Sequence, residues 1–164
     1  VLVLAAGGGV GLAAVQLARA AGAEVLATAS SDEKLARLRD FGVAHGINYR
    51  TSALTDAVAK AVGPNGVDLV IDPVGGKTLQ ESVGCLRYKG RIVNLGVAGR
   101  DPAPFNPLSM WDRNAALVGM RLSTSLAHEY TRTYEAIADC IARVAQAERA
   151  RPRTRALRVL STVS

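Results

Sequence analysis

The sequence predicts an α/β fold: a doubly wound parallel sheet of about six strands with helices on both faces. Three observations predict it. The chain opens on an apolar Val/Leu run, Val1 to Ala6, followed at once by Gly7-Gly8-Gly9 and an alanine-rich stretch of helix formers that stops at Gly22. Short runs rich in Val, Ile and Leu then alternate with helical patterns as far as about Leu122, a spacing that suits right-handed parallel crossovers. The run ends at Ala6, Ser30, Tyr49, Asp72 to Gly76 and Leu95 to Val97 converge on one sheet edge, where ligands of such sheets lie.

The first strand is apolar throughout, as a strand buried on both faces requires. The first helix, about Val10 to Ala21, is apolar except for Gln16 and Arg19, so more protein should pack over it. The first 18 residues carry no charged side chain, but three consecutive glycines argue against a membrane helix, and no basic leader marks a signal peptide. Ala23 to Ala29 reads as the second strand. Ser30 to Lys34 open a helix with core face Leu35, Leu38 and Phe41, and Ser30 with Glu33 has capping-box spacing,. Gly46 to Tyr49 is the third strand; Thr51 or Ser52 caps a helix with Leu54, Val58 and Ala61 on one face,. Val67 to Val74 is the fourth strand, running through Gly75-Gly76 into a helix with Leu79, Val83 and Leu86. Arg91 to Leu95 is the fifth. After a proline-rich loop, Leu108 to Asn114 forms a short helix, Ala115 to Leu122 a sixth strand at the sheet edge, and about His128 to Ala147 a helix.

Composition bounds the function. Hydrophobic residues at 49% and charged residues at 21% suit a globular protein,. Cys85 and Cys140 share no metal or redox spacing and read as buried thiols in a reducing cytoplasm; His45 and His128 are far apart, so no zinc site assembles by a familiar spacing,. The net charge of +6 is concentrated at the C-terminus, where Arg149, Arg151, Arg153, Arg155 and Arg158 occur with no acid among them. The remainder is nearly neutral, which argues against a nucleic-acid-binding body and leaves a basic tail. The domain division is therefore 1–148 and a tail, 149–164.

Strand, glycine turn and helix form the layout of a dinucleotide phosphate site, where backbone N–H groups and a helix N-terminus face an anion. The spacing is Ala6-x-Gly8-x-x-Gly11 with Gly9 inside it. Gly8 lets the backbone approach the phosphates, and Gly11 lets the helix pack on the strand. Ala6 fits only with φ below zero. The residue that would hold a ribose 2′-hydroxyl by its acid is Ser30, and Lys34 lies one helical turn on. A serine and a lysine favour a 2′-phosphate, hence NADPH, whereas Asp32 offers ribose recognition as the alternative.

Together the runs AAGGGVGLAAVQLARAAGAEVLATASSDEK, GINYR, GVDLVIDPVGGKTL and GRIVNLGVAG resemble the zinc-independent quinone oxidoreductases of the medium-chain dehydrogenase/reductase superfamily, over about Val1 to Leu122. The resemblance implies a Rossmann domain and metal-free hydride transfer from NADPH to a quinone or an activated alkene. It implies that Ala6, Gly8, Gly9, Val10 and Gly11 embrace the pyrophosphate, that Ser30, Lys34 and Tyr49 surround the 2′-phosphate, and that Pro73, Val74, Leu95, Gly96 and Val97 line the nicotinamide half. It also implies a homodimer through the sixth strand, 115–122. The family carries an N-terminal substrate domain and a C-terminal strand returning to it; neither is recognisable here, so the chain is expected to be part of a longer protein, and no catalytic acid or base is named. Tyr49, His45 and Asp72 read as cofactor, solvent and strand-end residues. The alternatives are an enoyl-reductase segment of a larger synthase, a zinc alcohol dehydrogenase, a non-catalytic NADPH-binding module, and an arginine tail that binds RNA or DNA.

Overall fold

The structure is a computed structural model and describes residues 1–150. The tail expected from residue 149 therefore lies, from 151 on, outside the described residues. In chain order the elements are β1 (Leu2–Val3), α1 (Gly9–Ala20), β2 (Leu26–Ala29), α2 (Asp32–Arg39), β3 (His45–Asn48), α3 (Leu54–Val62), β4 (Val67–Asp72), α4 (Gly76–Val83), β5 (Leu86–Asn94), a 3-10 turn (Pro107–Arg113), β6 (Ala116–Gly119), α5 (Leu122–His128) and α6 (Tyr130–Arg149). The six strands form one parallel sheet in the order β3-β2-β1-β4-β5-β6. The order reverses between β1 and β4, so a crevice opens at the carboxyl ends of those two strands.

Successive side chains along a strand face opposite sides, and two aliphatic cores result. Val3, Val25, Ala27 and Ala29 pack with Val15 of α1 and Leu35 and Leu38 of α2. Leu2, Leu4, Leu26, Val70 and Ile92 pack on the other face with Leu54 and Val58 of α3 and Val83 of α4. Each Val, Leu or Ile among them, where fully buried, contributes about 1.5–3 kcal/mol. The expectation that α1 is covered is met in part: α6 packs against it, while Val10 remains exposed. Burial pushes the Cys85 thiol up to about 12, which makes it a core side chain rather than a nucleophile. No helix among the described residues is long and apolar enough to cross a membrane.

Several boundaries differ from expectation, each for a local reason. The β1 ladder covers two residues rather than six, because the chain turns at Leu4 to Gly7. The cap of α2 is Ser31, whose hydroxyl accepts from Lys34 N at 3.4 Å, and not Ser30. Neither Thr51 nor Ser52 caps α3: the cap is Ala53, with no side-chain bond. Leu86 belongs to β5, not to the face of α4. There β5 begins with Leu86 beside Val67, bulges through Arg87 to Gly90, and resumes with Arg91 beside Leu69. Lys89 takes φ +61° inside the bulge, so a glycine and three exposed polar residues disguise the strand as a turn. The edge strand stops at Gly119, and Leu122 starts α5. The last helix is displaced by two residues, to Tyr130–Arg149.

Candidate functional site

The glycine turn is built around one strained residue. Ala5 takes φ +48°, whereas Ala6, among the described residues, has no positive φ. The conformational freedom of glycine is thus wanted at Ala5, one residue before the position that the spacing singled out. The turn is held from the neighbouring strand: Thr28 Oγ1 accepts from Ala5 N at 3.0 Å, and Thr28 O accepts from Ala6 N at 2.9 Å. Gly8 N then donates to Ala5 O at 3.0 Å. An alanine in the left-handed region costs about 1–2 kcal/mol, against about 0.4–1 kcal/mol of added unfolded-state entropy for glycine. Ala5→Gly is therefore expected to raise the melting temperature by about 2 °C; a fall measured by thermal denaturation contradicts the assigned strain.

The turn delivers the chain to the N-terminus of α1. Its N-cap, Gly8, has no side chain, its first turn holds no acid, and the hydrogen bonding starts with Leu12 N to Gly8 O at 2.8 Å. The amides of Gly9, Val10 and Gly11 are left without intrahelical partners, at the positive end of the helix dipole. A Cβ on Gly9 meets nothing within 4 Å, while one on Gly11 would stand 2.5 Å from Ala5 O and 2.6 Å from Ala6 Cα. Gly9 keeps the approach open, and Gly11 seats the helix on the turn. The other crossover helices are closed to an anion. Ser31, Asp32 and Glu33 fill the start of α2, Asp56 stands in the first turn of α3, and Asp101 accepts from Lys77 N at the start of α4 at 3.1 Å. The backbone donors of Ala103 and Lys77 hold the Asp101 carboxyl below the ordinary range,.

Ser30 and Lys34 come together beside this turn. With Ser31 as cap, Ser30 Oγ is free to accept from Lys34 Nζ, at 3.2 Å. The lysine stem passes the glycines, since a Cβ on Gly7 would lie 3.5 Å from Lys34 Cδ. One oxygen of Asp32 is taken by Asn48 Nδ2 at 3.0 Å. Tyr49, just beyond β3, is about half exposed at 52%. It lines a cavity of about 610 Å³ together with Leu4, Ala5, Thr28, Val74 and Gly99. Ser30, Lys34, Leu95, Gly96 and Val97 lie outside that cavity lining. His45 faces away from the crevice, paired with Glu24 at 3.0 Å.

The loops after β4 and β5 are tied to each other. Leu95 N, Ala98 N and Gly99 N donate to the carbonyls of Asp72, Pro73 and Val74 at 2.8, 3.0 and 2.9 Å. Fully buried Asp72 accepts from Val74 N at 2.7 Å and Gly75 N at 3.0 Å. Asp72 is thus the strand-end residue it was expected to be. Sequence reasoning missed Ala5, Thr28, Asn94 and Asp101. Thr28 left a faint signal as the lone hydroxyl in AEVLATA; a left-handed alanine leaves none. Among the described residues no group of three or more His, Cys, Asp or Glu is placed to hold a metal ion.

Comparison with known proteins gives this architecture relatives. Residues 9–143 match a family described as zinc-binding dehydrogenase. Quinone oxidoreductase-like protein 2 of Rattus norvegicus is 42% identical over 123 residues, which are 73% of this chain and 35% of that protein. The quinone oxidoreductase of Thermus thermophilus, solved also in complex with NADPH, is 43% identical with a TM-score of 0.70, covering 84% of this chain and 42% of that one. The CurK enoyl reductase is 29% identical with a TM-score of 0.75, over 89% of this chain and 43% of that one. The chain spans about a third of the length of the first curated relatives it matches.

Proposed function

The chain belongs to the zinc-binding dehydrogenase family, and from that premise we propose that residues 1–148 form the NADPH-holding domain of a reductase acting on a quinone or an α,β-unsaturated carbonyl. The observation that carries this reading is the bare N-terminus of α1 with the Ser30–Lys34 pair beside it. An uncapped glycine terminus suits a pyrophosphate, and a serine–lysine pair suits one further phosphate. In the nicotinamide cofactor the ring carries the hydride; the protein binds and orients it.

In this reading the amides of Gly9, Val10 and Gly11 hold the pyrophosphate, Gly8, whose own amide is bonded to Ala5 O, lets the backbone approach it, and Ala6 shapes the turn. Ser30 and Lys34 hold the 2′-phosphate. Tyr49 lines the cavity beside Ala5 and Thr28, and we assign it to the adenosine half, next to the 2′-phosphate. Pro73, Val74, Leu95, Gly96 and Val97 are left for the nicotinamide half. Although the family's description names zinc, the donor set of the described residues does not fit it, and no step here runs through a metal. Leu117, Val118, Met120 and Leu122 are exposed along and just after β6, which supports pairing with a second copy through 115–122. Cys85 is buried as expected and Cys140 only partly so; both are free thiols, which suit a reducing cytoplasmic setting. The likeness to the enoyl reductase favours a second reading, a segment of a larger synthase, with the same cofactor site.

Titration of the chain with NADPH and NADH, followed by nicotinamide fluorescence, tests the reading. We expect tighter binding of NADPH. Lys34→Ala should weaken NADPH about tenfold and leave NADH unchanged, since a charge-assisted bond of about 1.5–3 kcal/mol is reduced here by exposure to solvent. The same preference should shrink as salt is raised. Equal affinity for both cofactors points to Asp32 and ribose recognition; a folded chain that binds neither overturns the assignment.

A further inference from the structure

Asn94 ends β5 at the carboxyl edge of the sheet, partly buried between the loops that follow β4 and β5. Its Nδ2 lies 3.1 Å from Asp72 Oδ2, 3.2 Å from Asp72 O and 2.9 Å from Gly96 O. Three acceptors converge on that one atom, so the nitrogen of the amide, and not its oxygen, must face them. Asp72 in turn holds Val74 N and Gly75 N through Oδ1. The carbonyl of Asn94 accepts from Met120 N at 2.9 Å, which fixes the residue from behind. One side chain therefore ties the Gly96 loop to the loop that starts at Pro73.

We propose that Asn94 is a positioning residue for the nicotinamide half of the cofactor: its amide sets the separation of the Pro73 and Gly96 loops. The inference rests on the cofactor reading above. Asn94 touches neither the glycine turn nor the Ser30–Lys34 pair in its hydrogen bonding, so its effect is confined to one half of the ligand.

Two ligands separate the halves: NADPH, and 2′-phosphoadenosine diphosphate ribose, which is NADPH without its nicotinamide. Asn94→Ala should weaken NADPH about tenfold, the loss of one or two hydrogen bonds, while the nicotinamide-free ligand binds as it does to the parent chain. A general loosening of the fold would weaken both ligands equally, and that result overturns the proposal, as does no change for either. A second variant guards against a failure to fold. Asn94→Asp combined with Asp72→Asn restores a bond between the two side chains but removes the donor to the Gly96 carbonyl and sets a carboxylate oxygen against it,. The selective loss should persist in it, and full recovery of NADPH binding overturns the proposal. A parent chain that binds neither ligand is a different failure, that of the cofactor reading itself.

Discussion

Gly11→Ala should lower the melting temperature by about 2–8 °C: overpacking of about 2–3 kcal/mol, less about 1 kcal/mol of helix propensity, at about 2–4 °C per kcal/mol. Two effects oppose each other at this position. Alanine is the better helix former by about 1 kcal/mol. Against that, its methyl group would stand 2.5 Å from Ala5 O and 2.6 Å from Ala6 Cα. Both are backbone atoms of a turn pinned by Thr28, so neither can swing aside, and α1 must lift from the sheet. Gly9→Ala in the same helix is the control. Its methyl meets nothing within 4 Å, so propensity acts alone and stability should hold or rise. A Gly11→Ala protein as stable as the parent in a thermal melt would show that the helix is not seated on the turn.

Asp72→Ala should cost about 3 kcal/mol or more in urea unfolding. The substitution leaves the amides of Val74 and Gly75 without an acceptor and removes one acceptor of Asn94. An orphaned buried donor costs about 1–3 kcal/mol. Asp72→Asn keeps an oxygen for the two backbone amides but turns an NH2 group toward the Asn94 amide, so its cost should fall between alanine and the parent. If Asp72→Ala unfolds within about 1 kcal/mol of the parent, the loops are held by their backbone ladder alone.

Much of this was legible in the sequence, and the part that was not has physical causes. Strand, glycine turn and helix could be read because Gly7 to Gly11 interrupt two apolar runs that need opposite geometries. The close packing at Gly11 followed from spacing alone. Adjacent serines were harder: Ser30 and Ser31 are both competent caps, and the backbone picks one through φ and ψ that composition does not encode. That choice mattered, since it released Ser30 to meet Lys34. The start of β5 was hidden by a bulge made of residues that normally announce turns. Asn94 and Asp101 were invisible because their partners are distant in sequence: Asn94 bonds across to Asp72, and Asp101 reaches back to Lys77.

The sheet order has a further consequence, for the way the chain reaches its folded state. The strands β1, β2 and β3 are neighbours along the chain and pair through single crossovers, as do β4, β5 and β6. The two triplets meet along one seam, β1 against β4, with Leu2 opposite Val70 and Val3 opposite Ile71. Each triplet closes short loops, whereas the seam closes the loop from Leu2 to Val70 and orders it at greater entropic cost. The seam is also where the crevice opens. It is the pairing of longest sequence separation in the sheet, and the ligand crevice exists only once the two halves are joined.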